Sequence, residues 1–131
     1  MGAFDMLRIA NSSLGMHQTW LDSLANNIAN VNTVVATSEN AFQAQLVTAA
    51  PRPGGGVDVA GIALGGSPEG ILTFAPEHPL ADENGMVRAT DVDMPSQMTQ
   101  LVIAQRGFQA SVQTTKTAQD TYNAALQIGR A

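Results

Sequence analysis

Apolar residues recur at alternating spacings of three and four near each end of the chain. At the amino end the series is Leu7, Ala10, Leu14, His17, Leu21, Leu24, Ile28 and Val31. At the carboxyl end it is Met98, Leu101, Gln105, Phe108, Val112, Thr115, Gln119, Tyr122 and Leu126. That period belongs to a helix with one apolar seam, as in a coiled coil. It predicts a first helix from Gly2 or Ala3 to about Asn30 or Asn32. There Asn26, Asn27, Asn30 and Asn32 crowd in and compete for backbone hydrogen bonds. A second helix is predicted from Asp93, which suits an N-cap, through Pro95 in its first turn to about Gly129. Gln97 is placed to reach back toward that cap.

Between the two seams the pattern shortens. Thr33, Val34 and Val35 mark the exit from the first helix, and Phe42–Val47, Val57–Leu64, Ile71–Ala75 and Met86–Ala89 read as short strands. Five of the six prolines and most of the glycines fall in this stretch, and Asn84-Gly85 is a tight-hairpin signal. The expected fold is mainly α with a small β insertion. Long N- and C-terminal helices (1–32 and 94–131) form a coiled-coil-like pair around a central loop-rich β segment (33–93), all one structural unit.

Charge changes the picture more than composition does. Residues 1–32 carry only Asp5, Arg8 and Asp22, and residues 94–131 only Arg106, Lys116, Asp120 and Arg130. Where a solvated helix presents Lys and Glu, these present Gln, Ser, Thr, Asn and Ala. Such helices are built to be surrounded by protein, so the chain reads as a subunit of an assembly. The formal charge of −5 is concentrated in the middle segment. With no basic patch, nucleic-acid binding is not expected. No run approaches the ~18–20 apolar residues of a membrane span. The N-terminus lacks the basic, apolar and small-residue regions of a cleaved secretory signal.

Candidate chemistry is sparse. The chain has no cysteine, which excludes disulfides, thiolate metal sites and cysteine nucleophiles. Glu77, His78, Asp82, Glu83, Asp91 and Asp93 are acidic company for one histidine but lack the fixed spacing of a metal site. They read as a solvated acidic turn. His17 lies on the first seam without a Ser or carboxylate placed to form a triad. Gly54-Gly55-Gly56 lacks the following Gly-Lys-Ser/Thr of a phosphate loop and reads as a turn or flexible segment. No catalytic residue, cofactor or metal is expected.

Three strings resemble one family. Ala25-Asn26-Asn27-Ile28-Ala29-Asn30-Val31-Asn32-Thr33 is similar to the signature ending the N-terminal helix of bacterial flagellar rod, hook and hook-associated proteins. His78-Pro79-Leu80-Ala81-Asp82-Glu83-Asn84-Gly85-Met86-Val87 resembles a segment of the family's proximal rod members, with Met86 in place of their usual Tyr. Ala104-Gln105-Arg106-Gly107-Phe108-Gln109-Ala110 is similar to part of their C-terminal helix.

The resemblance implies a structural subunit of the flagellar basal-body rod, assembling helically through its terminal helices and transmitting torque to the distal rod and hook. Implied partners are other rod proteins, copies of itself, and the export apparatus and MS-ring base during assembly. The implied location is the basal body in the cell envelope, reached by export without a cleaved signal. The residues expected to pack between subunits are Leu7, Leu14, Leu21, Leu24, Asn26, Asn27, Ile28, Asn30 and Val31 of the first helix. On the second they are Met98, Leu101, Phe108, Val112, Tyr122 and Leu126. The alternative is a soluble, secretion-associated helical-hairpin adaptor. In the free subunit both termini are expected to be partly disordered.

Overall fold

A computed structural model describes residues 2–130. The outermost residues of the predicted terminal segments, 1 and 131, lie outside the described residues. The elements run α1 (Ala3–Ala29), β1 (Val34–Val35), β2 (Ala44–Pro51), β3 (Val57–Gly65), β4 (Ile71–Phe74), β5 (Met86–Ala89) and α2 (Met94–Ile128). Two long helices thus bracket a β-rich middle, as the periodicity predicts.

The ends of the helices follow local chemistry. Asp5 reaches back to accept from the Gly2 amide at 3.1 Å, half of a capping box. At the other end of α1, Asn30 donates its side-chain amide to Asn26 O at 2.9 Å and accepts from the Thr33 hydroxyl at 3.1 Å. Asp93 caps α2 by accepting from the Ser96 amide at 3.0 Å. Gln97 does not return to the cap as expected; its side chain is buried elsewhere.

The middle holds two small antiparallel arrangements. β2 and β3 form a two-stranded sheet, and β1, β5 and β4 form a three-stranded sheet in that order. In the latter, Val34 pairs with Ala89 on one side of β5, and Leu72 and Phe74 pair with Arg88 and Met86 on the other. The strand expected at Phe42–Val47 begins two residues later and continues to Pro51. Asn84-Gly85 is not a two-residue hairpin turn. β4 and β5 are separated by residues 75–85, and a turn organised by Asp82 leads into β5. The Gly85 amide donates to Asp82 O and the Asp82 amide to Met86 O, both at 2.9 Å.

Two compact units divide the chain, each assembled from separate stretches. One comprises Met1–Asp22, Val47–Gly61 and Val102–Ala131; the other comprises Ser23–Leu46 and Ile62–Leu101. Their cores are small: Ala10, Ala104 and Ala118 in the first, Leu24, Ala41 and Val87 in the second. The buried positions on α2 are Gln97, Ala104, Ser111 and Ala118, a strict seven-residue repeat. This repeat runs one residue ahead of the expected Met98, Gln105, Val112 and Gln119. On α1 the buried or half-buried line includes Ala10, Ser13, His17, Trp20, Leu24 and Asn27.

Candidate subunit interface and its internal supports

In the second unit the residue at the centre is Asn27, fully buried. Its Nδ2 donates to Gln45 O at 3.0 Å and to Gln97 Oε1 at 2.9 Å. Its Oδ1 accepts from the Gln45 amide at 2.7 Å. One asparagine therefore reads a strand's backbone in both directions and joins α1, β2 and α2. Only an amide supplies donor and acceptor in that geometry. Around β5, Arg88 donates to Thr37 O at 2.7 Å and also to Glu69 O. Thr90 donates to Phe42 O at 2.9 Å. These contacts tie the loops to the three-stranded sheet.

In the first unit the supports are small and polar. Ser13 and Ser111 meet hydroxyl to hydroxyl at 2.9 Å. His17 holds its Nδ1 2.8 Å from Ser13 O, which makes Nδ1 the protonated nitrogen. The other edge of its ring occupies the space a side chain at position 107 would need, with Cδ2 only 2.6 Å from where a Cβ would stand. Gly107 is thus the gap in α2 that admits the imidazole. An open groove of about 670 Å³ lies between α1 and the β2–β3 hairpin, bounded by Phe4, Leu7 and Met16 on one side and Val57 and Val59 on the other. A second, of about 370 Å³, is lined by Met6, Ile9 and Ala10 of α1 and Ser111, Thr114 and Ala118 of α2.

The expected packing residues separate into three groups. Leu24 and Asn27 are buried within the subunit, so their packing is internal. Leu7, Leu14, Leu21, Asn26, Ile28, Asn30, Val31, Leu101, Phe108 and Tyr122 are half-buried. Met98, Val112 and Leu126 are exposed, at 49%, 44% and 48%. The seam reading missed Phe4, Ile103 and Ile128, which are more exposed still. Ile103 had a visible signal, since Leu101-Val102-Ile103 places apolar residues on more than one face of a helix.

The acidic turn holds itself together. Asp82 accepts from the Met86 and Asn84 amides at 2.9 Å and from the Thr37 hydroxyl at 3.1 Å. The Met86 amide is the main cause holding its carboxyl below the usual range, with the Asn84 and Thr37 bonds adding to it and partial desolvation opposing. Among the described residues no group of three or more His, Asp or Glu side chains is arranged to hold a metal. No helix among them is long and apolar enough to cross a membrane.

Long terminal helices with apolar outward positions, little charge, and an asparagine-anchored β insertion fit a structural subunit that packs among other proteins. Comparison with known proteins carries this further. The family model for the C-terminal region of flagellar basal body rod FlgEFG proteins matches residues 83–128. The flagellar basal-body rod protein FlgC of Yersinia enterocolitica is 33% identical over 135 residues, spanning 99% of this chain and 100% of the relative. That of Salmonella typhimurium is 31% identical with the same coverage. That of Borreliella burgdorferi is 27% identical, with 98% of each chain covered. The chain belongs to the family of the flagellar basal-body rod protein FlgC. It is a structural subunit of the bacterial flagellar basal-body rod, and it assembles there with other rod components. A free-standing adaptor is not favoured by full-length similarity to rod proteins.

Proposed function

We propose that copies of this chain and other rod proteins stack helically, α1 and α2 pairing in a coiled-coil-like manner and packing against neighbours, so that the stack transmits torque to the distal rod and hook. Repetition of a heterologous contact builds an open helical array instead of a closed ring. The observation that supports this reading most is the exposed apolar surface of α2. Met98, Val102, Ile103, Val112 and Leu126 are exposed on a 35-residue helix that carries almost no charge. Exposed apolar surface of that extent is ordinarily covered by a partner. In this reading the terminal segments 1–32 and 94–131 are assembly arms, 33–93 is an insertion carried on them, and the half-buried Asn26, Ile28, Asn30 and Val31 meet a neighbour.

The same reading makes the protein a scaffold without catalysis. It leaves the cytoplasm unfolded through the flagellar export apparatus without a cleaved signal and meets the export and MS-ring base during assembly in the cell envelope. The deciding experiment places Asp at Met98 and Val112, positions that cost the free subunit little. Secreted variant protein with no rod, hook or swimming supports stacking through this face. Normal basal bodies and normal swimming would refute it.

A further inference from the structure

The three-stranded sheet ends in β4, a strand left open along its outer side. β1, at the opposite edge, is only two residues long, whereas β4 offers four, and all four are exposed. Ile71, Leu72 and Phe74 are 54%, 56% and 69% exposed. The pairing fixes which backbone groups are free. Ala75 N donates to Gly85 O at 2.8 Å, in the same register that sets Ile71 opposite Ala89 and Thr73 opposite Val87. Bonded and non-bonded pairs alternate along an antiparallel ladder, so Ile71 and Thr73 bond toward β5. Leu72 and Phe74 therefore turn their N–H and C=O groups to the open edge. Edge strands are ordinarily blunted by Lys, Pro or a bulge, and Ile71-Leu72-Thr73-Phe74 has none of these.

The charges around this edge select what can pair with it. Residues 69–83 carry Glu69, Glu77, Asp82 and Glu83 and no Lys or Arg. The sheet's own cation, Arg88, is engaged by Thr37 O and Glu69 O. A second copy is a poor partner. To use all four free groups, Leu72 must lie opposite the other copy's Phe74, and that antiparallel register brings Glu69 of each copy beside Glu77 of the other. A parallel pairing sets each glutamate near its own equivalent. Like charges so opposed are destabilising. We propose that β4 is a strand-accepting edge, and that its occupant is an extended, apolar-alternating strand of a different protein with Lys or Arg at both ends. Main-chain hydrogen bonds to Leu72 and Phe74 supply the attachment, and the flanking glutamates supply the selection. This docking goes beyond stacking through α2 and does not depend on it, because the terminal helices take no part.

NMR titration of the full chain with the peptide Lys-Lys-Val-Thr-Val-Thr-Lys-Lys, at concentrations where sedimentation shows a monomer, tests this. Saturable shifts are expected at the Leu72 and Phe74 amides, with slowed hydrogen exchange there. The same peptide with Glu in place of each Lys is expected to bind about tenfold more weakly. Glu69→Lys combined with Glu77→Lys is expected to reverse that preference; both side chains are exposed, so the fold should tolerate the change. Leu72→Pro removes an outward N–H at a place where an edge strand tolerates proline, and is expected to abolish the shifts. If it unfolds the sheet, the charge-reversed variant decides. No saturable binding, equal affinity for the two peptides in the wild-type chain, or shifts centred on α1 or α2 would each overturn the proposal. A dimer that forms at higher concentration and is lost in Leu72→Pro would overturn the stated occupant.

Discussion

Asn27 donates to Gln97 across 2.9 Å, and both side chains are buried, at 0% and 6% exposure. The two residues lie 70 positions apart, so this pair closes one of the longest loops in the chain. The same Asn27 amide is matched to the Gln45 backbone, so removing it strands a buried N–H, a carbonyl and the Gln97 oxygen together. Asn27→Leu is expected to lower unfolding free energy by about 2–4 kcal/mol in urea titration. Gln97→Leu alone should cost less, because Asn27 keeps both bonds to Gln45. Equal losses in the two variants would contradict the central role assigned to Asn27.

Gly107 is a packing requirement set by His17. Adding a methyl in Gly107→Ala overpacks the imidazole and is expected to destabilise by about 1–3 kcal/mol. Replacing His17 by Ala in the same chain removes the obstacle, so the double variant should recover stability relative to the sum of the singles. A double-mutant cycle with no coupling would show that the ring is not the obstacle.

Burial separates two kinds of seam residue. Leu24 is 2% exposed, so Leu24→Asp buries a carboxylate in the subunit core and costs several kcal/mol. Thermal denaturation should show that loss in the isolated protein. Val112→Asp, on an exposed position, should leave the melting curve within about 0.5 kcal/mol of wild type and act only on assembly. A large drop in the melting temperature of Val112→Asp would place that residue inside the subunit.

Asp82 provides a pH signature. Its folded pKa is lowered, so its contribution to stability is complete above the ordinary carboxylate value, about 4. It is lost as pH falls through the lower folded value. NMR titration of the Asp82 carboxyl should give a midpoint below that of a model-peptide aspartate. Asp82→Asn keeps an acceptor for the Met86 and Asn84 amides, so the turn should survive at neutral pH while that part of the acid dependence disappears. A normal or raised midpoint would show that the turn's amides do not bind the carboxylate.

Beyond Ala118, α2 has no buried residue, and of residues 119–128 only Tyr122 is even half-covered. The carboxyl arm should therefore exchange its amides rapidly in a monomer and gain protection in assembled rods. Strong protection of 119–128 in a verified monomer would contradict this. At the other end of the chain, Arg8 and Ser12 of α1 touch the tip of the β2–β3 hairpin.

Much of this architecture was legible from local chemistry. Periodicity located both helices, Asp93 marked the start of α2, the Asn cluster marked the end of α1, and turn residues separated the β segments. These features depend on neighbours within a few positions, which is the range over which capping, backbone preference and hydrophobic period act. The resemblance of three strings to axial proteins was likewise visible without coordinates. What tertiary structure decided was which face of each helix turns inward. The heptad of larger apolar residues, Met98 and Val112 among them, marks a packing seam and leads to the expectation of packing between subunits; the row buried within the chain is Gln97, Ala104, Ser111 and Ala118. Small and polar side chains fill it because the contacts beside them are polar ones: Ser111 meets the Ser13 hydroxyl, Gln97 is matched to Asn27, and Gly107 leaves room for the His17 ring. A one-residue shift on a helix rotates the buried line by about 100°, and no local pattern distinguishes an apolar row kept for a neighbour from one kept for the chain itself.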